Sequence, residues 1–229
     1  MKNNIRITDK VLLFDFDGTL VETEILAREV IAEHFMERGW GDSGPYADMI
    51  VGKTWRLAVE EMRRTAKQSG LDLGSPESLE QELKRRYQER FQRGVNLIPG
   101  FKELLPLFKT KARFLGIVTG SERHEVEAIL KTHQLDGVFD RVWGFGDYPG
   151  SKPDPSPYLT AMQEIPAHPA EVLVFEDSRA GMDSAHRAGL KWVQISHEAH
   201  ARIPDPRSLF VIENWHQLGI EQAVSQNSG

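Results

Sequence analysis

Val11-Leu12-Leu13-Phe14-Asp15-Phe16-Asp17-Gly18-Thr19 is the stretch that decides the fold. Its first four residues form a short apolar run of the kind a buried strand requires. Two carboxylates then follow at i and i+2, where a strand of an open α/β sheet would end. Ligands in such sheets bind outside the carboxyl ends of the strands. A strand sends residues i and i+2 to one side, although a chain about to turn can splay them, and Gly18 permits that turn. Two acids this close stay ionised together only with a cation between them; otherwise one keeps its proton. Metal binding and acid–base chemistry are therefore both open. A lone Asp-x-Asp-Gly is equally a pair of turn residues capping the next element, so the rest of the chain has to decide.

Apolar, β-rich runs recur at residues 11–16, 114–118, 138–143, 172–175, 192–195 and 210–212. Helical stretches at 122–133, 155–164 and 178–188 lie between most of them. This alternation predicts an α/β fold, a Rossmann-like, doubly wound and mostly parallel sheet with helices on both faces. From about Thr23 to Gly94 the rhythm breaks: no convincing strand occurs, and helical runs cover 24–38, 55–68 and 76–93. Ala27, Val30, Ile31, His34 and Phe35 fall at helical spacing and give the first of these one apolar face. The stretch reads as an all-helical insertion that leaves the sheet after Gly18-Thr19 and returns near Ile98-Pro99-Gly100, ahead of a helix at 101–108. The expected division is a core of residues 1–19 and 96–229 and an inserted helical domain of residues 20–95. Residues 225–229 read as a frayed tail.

A chain of 229 residues has room for one large domain or one domain with a sizeable insertion. The net charge of −6 and pI of about 5.8 provide no sequence-wide basic field to draw it to nucleic acid or an anionic membrane. The absence of cysteine excludes disulfides, thiolate metal sites and thiol catalysis, and fits a reducing compartment. The first ten residues are polar and lack the apolar core of a signal peptide. No stretch approaches the roughly 20 apolar residues of a membrane helix. The expectation is a soluble, cytoplasmic protein, a monomer with an oligomer left open, that handles a small molecule, with neither nucleic acid nor membrane as partner.

Three further strand ends carry chemistry. The run ending at Val118 passes into Thr119-Gly120-Ser121, two hydroxyls and a glycine just before a helix. Free N–H groups and small polar side chains at a helix N-terminus suit a phosphate, and Ser121 is also a plausible N-cap. The loop Asp147-Tyr148-Pro149-Gly150-Ser151-Lys152-Pro153-Asp154-Pro155 holds one lysine between rigid prolines, and Pro155 can open the next helix. A lysine fixed there can meet a phosphoryl oxygen; alone, such a lysine is more often a solvated charge. Val172-Leu173-Val174-Phe175 runs straight into Glu176-Asp177-Ser178, a second acidic strand end with a helix behind it. Acids converging from two strand ends suit a hard cation, and oxygen ligands are what Mg²⁺ prefers. Asp177 as a mere N-cap is the plainer alternative.

Taken together, Asp15-Phe16-Asp17-Gly18-Thr19-Leu20, Thr119, Lys152-Pro153-Asp154-Pro155 and Phe175-Glu176-Asp177-Ser178 resemble the four ordered motifs of the haloacid dehalogenase superfamily. The likeness extends to Val21-Glu22-Thr23-Glu24, Pro99-Gly100 and Ala188-Gly189-Leu190, and so covers nearly the whole chain. The insertion resembles the family's C1 cap, in the β-phosphoglucomutase and sugar-phosphatase-like subgroup. Only about thirty residues separate the second and third motifs, too few for the large cap other members carry there.

The resemblance implies that Asp15 is the nucleophile, forming an aspartyl-phosphate. It implies Mg²⁺ held by the Asp15 carboxylate, the Asp17 backbone carbonyl, Asp177 and Glu176. Lys152 would add positive charge, with Thr119 and main-chain N–H groups completing the phosphate cradle. Asp17 would protonate the leaving oxygen and later deprotonate water. Gly18, Thr23, Glu24, Gly120 and Ser121 fall on the substrate side of these motifs. The presence of Asp17 separates the chain from relatives that attack carbon and from phosphonate-cleaving relatives, which lack this second acid.

Gly52-Lys53-Thr54-Trp55-Arg56 resembles the cap loop that dips toward the active site in sugar-phosphate members. Lys53, Thr54 and Arg56 offer contacts to a polyol or carboxylate, or else make an ordinary solvated helix start. The cap is expected to set substrate choice and to move relative to the core. Two departures from the β-phosphoglucomutase pattern, Ala27 for a histidine and Trp55 for an arginine with Arg56 adjacent, favour plain hydrolysis over mutase chemistry. The leading expectation is a Mg²⁺-dependent phosphatase acting on a sugar or polyol phosphate. A phosphosugar mutase is the enzymatic alternative and a non-enzymatic phospho-receiver or binding module the remote one. His197 and His200 read as surface residues of a polar loop.

Overall fold

A computed structural model describes residues 3–50, 54–196 and 203–221. The eight strands among them are β1 (Asn3–Ile5), β2 (Val11–Phe14), β3 (Phe114–Val118), β4 (Arg141–Trp143), β5 (Val172–Glu176), β6 (Lys191–Ile195), β7 (Val211–Ile212) and β8 (Leu218–Ile220). The helices are α1 (Thr23–Glu37), α2 (Gly44–Ala47), α3 (Trp55–Gln68), α4 (Pro76–Gln92), α5 (Phe101–Lys111), α6 (Arg123–Thr132), α7 (Ser156–Glu164) and α8 (Arg179–Arg187). None is long and apolar enough to cross a membrane.

The chain divides into two compact units, Met1–Val21 with Leu97–Gly229, and Glu22–Asn96. The junctions fall one or two residues later than expected, because residues 20 and 21 are tied to the first unit. Ile98 N–H donates to the Leu20 carbonyl and Gly18 N–H to that of Val21, and Val21 bridges to Asp17 and Leu97.

The first unit holds a six-stranded sheet in the order β4-β3-β2-β5-β6-β7, and every neighbouring pair is parallel. Its strands therefore deliver their carboxyl ends to one edge. Phe14, the last residue of β2, stands opposite Ile117 of β3 and Phe175 of β5, so the residues just beyond all three meet there. The central strand is buried throughout, as a parallel strand covered on both faces must be. On one face Phe14 stacks on Phe175 at 4.9 Å, with Phe101, Phe108 and Trp215 around it. On the other, Val11 and Leu13 join Tyr158 of α7 and Met182 and Ala185 of α8. This alternation of Val11/Leu13 against Phe14 is the period of two that a strand imposes.

Three expected strands are shorter in the structure. The first stops at Phe14, because the Phe16 carbonyl accepts from Thr19, Leu20 and Val21 N–H groups and closes a turn. Residues 138 and 139 turn, with Val138 N–H on the Leu135 carbonyl, Asp140 reaches β3 through its N–H on the Leu115 carbonyl, and the last strand begins at Val211. β1 and β8 form a separate two-stranded parallel sheet that sequence reading missed. Asn-Asn-Ile has poor β-propensity, and its partner lies at the far end of the chain.

The second unit is all-helical among its described residues. Val30, Ile31, Phe35, Tyr46, Met62, Leu79 and Leu83 are among its buried core residues. Thr54 and Ser75 cap α3 and α4 by accepting from Leu57 and Ser78 N–H, and Pro76 opens α4. Arg86 and Arg90 of α4 pair with Glu37 and Glu29 of α1 at 2.7 and 2.8 Å. The one-turn α2 escaped sequence reading because four residues carry no periodicity. His34 is buried with Nδ1 lacking a hydrogen-bond partner; burial, then the Arg86 and Arg38 charges, hold its pKa below the usual histidine value.

Candidate active site

Every chemical group here belongs to the first unit and follows from the sheet edge. β2 runs into Asp15 and Asp17, β3 into Thr119, Gly120 and Ser121, and β5 ends in Glu176 with Asp177 next. Lys152 comes from the loop before α7. Asp15, Glu176 and Asp177 are buried, and each offers a carboxylate oxygen within 4.8 Å of the others.

Lys152 is the hub. Its ammonium donates to Asp15 Oδ1 at 2.6 Å, to Glu176 Oε1 at 2.6 Å and to the Val118 carbonyl at 2.9 Å. With its side chain only 11% exposed, the solvated-charge alternative does not apply. Glu176, fully buried, takes a second donor on Oε1 from the Tyr158 hydroxyl at 2.9 Å. Its Oε2 accepts from Asp177 N–H, Ser178 N–H and Ser178 Oγ, each at 3.1 Å. Ser178, rather than Asp177, caps α8, by accepting from Gly181 N–H at 2.9 Å. Asp177 is left facing the cluster, where Thr19 Oγ1 donates to it at 3.3 Å. Gly18 is needed beside it twice over: its φ is +75°, and a Cβ there would lie 2.2 Å from Asp177 Oδ2.

The two aspartates of the first motif are splayed. Asp15 faces Lys152 and the buried acids, whereas Asp17 Oδ2 accepts from Ser121 Oγ at 2.5 Å and Thr119 Oγ1 at 3.3 Å. The turn at Phe16 separates them. Ser121 does not cap α6; Glu122 occupies that position, and the Ser121 hydroxyl is used on Asp17. Thr119 Oγ1 also accepts from Ser121 N–H at 3.1 Å, which ties the two hydroxyls into one holder. Gly120 is exposed, and a Cβ there would meet nothing within 4 Å.

The remaining expected residues belong to the second unit. Thr23 and Glu24 open α1, the side chain of Glu24 not being among those described. The Thr54 hydroxyl is engaged as a helix cap, and exposed Arg56 pairs with Glu60 at 3.3 Å. Gly52, Lys53, His197, His200 and residues 225–229 lie outside the described residues. Sequence reading missed Tyr158 and Tyr148, whose hydroxyls donate to Glu176 and to the Thr119 carbonyl. Nothing in the sequence separates Tyr158 from an ordinary core aromatic.

Residues 12–195 match the haloacid dehalogenase-like hydrolases. The chain belongs to this family. Protein CbbY of Rhodobacter capsulatus is 33% identical over 211 residues, which cover 86% of this chain and 93% of CbbY. A phosphorylated carbohydrates phosphatase of Thermotoga maritima is 30% identical over 186 residues, 80% of this chain and 82% of its own. Among solved structures, CbbY from Rhodobacter sphaeroides in complex with phosphate matches with a TM-score of 0.68 at 22% identity, over 93% of this chain and 97% of that one. This haloacid dehalogenase-like hydrolase is an enzyme similar to CbbY, and its fold, with α1–α4 as the helical cap, is that of a β-phosphoglucomutase-like structure from Thermotoga maritima, matched with a TM-score of 0.73 at 23% identity over 91% of this chain and 96% of that one.

Electrostatics shows what the family's acidic cluster lacks. Burial pushes the Asp15 carboxyl up to about 8; Lys152 pulls against that, and the Glu176 and Asp17 charges add to it. Burial disfavours the Lys152 ammonium too, yet Asp15 and Glu176 outweigh it and hold the group well above the usual lysine range. One ammonium thus lies against two carboxylates, Asp15 and Glu176, with Asp177 beside them, and this chain's own charges leave Asp15 well above the usual carboxylate range. A divalent cation beside this cluster would restore the balance. The donors are carboxylate oxygens, which suit a hard ion such as Mg²⁺.

Proposed function

We propose that this hydrolase is a Mg²⁺-dependent phosphatase that cleaves a small phosphorylated metabolite, a sugar or polyol phosphate, through an aspartyl-phosphate on Asp15. The observation that carries the reading is the difference in setting between Asp15 and Asp17. One carboxylate is buried against an ammonium among other acids; the other is half-buried and held by two hydroxyls. A nucleophile needs the first setting and a proton carrier the second.

Asp15 Oδ attacks phosphorus, and the bond to the leaving oxygen breaks as Asp17 delivers a proton to that oxygen. Asp17, now ionised, takes a proton from water, whose oxygen attacks phosphorus and releases phosphate and free Asp15. Lys152, fixed by three acceptors, keeps positive charge beside the nucleophile throughout. Ser121 and Thr119 hold Asp17 so that its carboxylate need not reorganise between the two steps. Asp15, Asp177 and the Asp17 carbonyl would hold Mg²⁺, with Glu176, whose two oxygens already accept from five donors, behind them as a further negative charge; the ion would supply charge that keeps Asp15 ionised and offsets the phosphoryl group's own.

Hydrolysis is preferred to mutase chemistry because the two cap positions at which this chain departs from the mutase pattern are used for packing. Ala27 is buried in the cap core, and the Trp55 ring lies 5.6 Å from that of Tyr87. The substrate class is supported by the relatives, among them a phosphatase of phosphorylated carbohydrates. The test is phosphate release from a panel of phosphorylated metabolites, with Mg²⁺ and with excess chelator. Release from sugar or polyol phosphates in Mg²⁺ alone is expected. Full activity in chelator would sink the metal role, and bisphosphate-dependent conversion of a sugar 1-phosphate to its 6-phosphate would establish a mutase instead.

A further inference from the structure

Tyr158 lies on α7, is fully buried, and touches both partners of the central ion pair. Its hydroxyl donates to Glu176 Oε1 at 2.9 Å, the same oxygen that accepts from Lys152 at 2.6 Å. Its ring lies under the Lys152 ammonium, 5.1 Å from centroid to nitrogen. It belongs to an apolar core cluster with Val11, Leu13, Val118, Trp143, Val174 and Met182. Phenylalanine would fill that space as well and would avoid the cost of burying a hydroxyl. Packing therefore accounts for the ring but not for the oxygen.

We propose that Tyr158 is a positioning residue for the reaction: its hydroxyl fixes the Glu176 carboxylate, which in turn holds the Lys152 ammonium against Asp15. The inference rests on the phosphatase reading above. Glu176 has three side-chain torsions and Lys152 four; donors from Asp177 and Ser178 hold Glu176 Oε2, whereas Oε1, the oxygen that meets Lys152, has Tyr158 as its other partner. Tyr158 has two torsions, in a ring clamped by the core, and so supplies a fixed point at one end of the chain Tyr158–Glu176–Lys152–Asp15. The distance from Lys152 to Asp15 decides how well the ammonium serves the phosphoryl group. Misplacement of a catalytic group by about 1 Å can cost on the order of a hundredfold in rate.

Tyr158→Phe removes the hydroxyl and keeps the ring and its contact with Lys152. Turnover is measured per folded molecule, with the folded fraction taken on the same sample. About a tenfold fall in kcat is expected, as for a lost hydrogen bond to a charged group acting one step from the chemistry, with KM changed less than about twofold. The variant Glu176→Gln should lower kcat by itself, and adding Tyr158→Phe to it should cost less than it does in the wild type, because the charge through which the anchored oxygen holds Lys152 is already gone. A wild-type kcat in Tyr158→Phe would overturn the proposal. So would effects that multiply in the double variant, since the hydroxyl then acts by a route other than Glu176, or a Tyr158→Phe chain that does not fold, since that assigns the hydroxyl to stability. The wild type run beside them separates the two readings. No phosphate release by the wild type defeats the proposed function and the positioning role with it, whereas an active wild type matched by Tyr158→Phe defeats only the positioning role.

Discussion

Gly181→Ala offers a test whose sign is decided by the site. Alanine is the better helix former by about 1 kcal/mol, so the change in an unconstrained helix position should stabilise. Gly181 lies in the first turn of α8 and is buried against Glu176. A Cβ there would stand 1.7 Å from Glu176 Oε1, 2.0 Å from its Cδ and 2.3 Å from Oε2, where even 3.0 Å is essentially never seen. The carboxylate would have to retreat by at least about 1.3 Å, enough to take Oε1 off donors now at 2.6 and 2.9 Å. Being fully buried, it has no water to turn to. Each hydrogen bond to a charged group is worth roughly 1.5–3 kcal/mol, and a broken buried ion pair costs about 3–5 kcal/mol. Less the helix gain, a net destabilisation of roughly 2–4 kcal/mol is expected, a large share of the 5–15 kcal/mol a domain possesses. Urea unfolding followed by circular dichroism measures it as a lower midpoint at unchanged slope. The same variant, assayed at 25 °C where it is folded, should lose on the order of a hundredfold in kcat through misplacement of Lys152. A variant as stable as wild type, or more so, with kcat intact would refute the claim that Glu176 is pinned where the site needs it.

Asp15→Asn should abolish turnover, and mass spectrometry should find no phosphorylated enzyme. Asp17→Asn should lower kcat by roughly 10²–10⁴-fold for alkyl phosphates and by less for p-nitrophenyl phosphate, whose leaving group needs no proton. Ser121→Ala should show the same leaving-group pattern in weaker form, because its hydroxyl holds Asp17; an equal loss on both substrates would return Ser121 to phosphate binding. Asp177→Asn should weaken Mg²⁺ binding in titration calorimetry, and unchanged affinity would remove it from the metal site. For His34 the folded pKa lies below the ordinary 6.5, so the unfolded chain takes up a proton that the folded cap refuses. The stability present above pH 6.5 is lost as pH falls below it, and between pH 7.5 and 5.5 the unfolding midpoint should drop more in wild type than in His34→Phe.

The parts of the fold that could be read from the sequence share one property: their cause is local. An apolar run of four residues followed by acids is enough to place Asp15 at a strand end, and the same logic finds Thr119 and Glu176. The helical insertion shows itself because a period of 3.6 replaces short β-rich runs. Pairing of β1 with β8 had no such signal, since two three-residue strands meet across almost the whole chain. The turn at Phe16, which sends Asp15 and Asp17 to different partners, depends on a carbonyl that collects three N–H groups, and spacing alone left that open. Tyr158 and Gly181 are the plainer case. Each sits on a helix and looks like core or like an ordinary small residue, yet each meets Glu176, 18 residues away for the tyrosine. The groups proposed to meet the substrate come, Lys152 apart, from strand ends and are announced by the runs before them. Groups that hold those residues in place come from the layer behind, where their sequence signature is that of packing. They are found by asking which buried oxygen, or which missing Cβ, packing alone does not require.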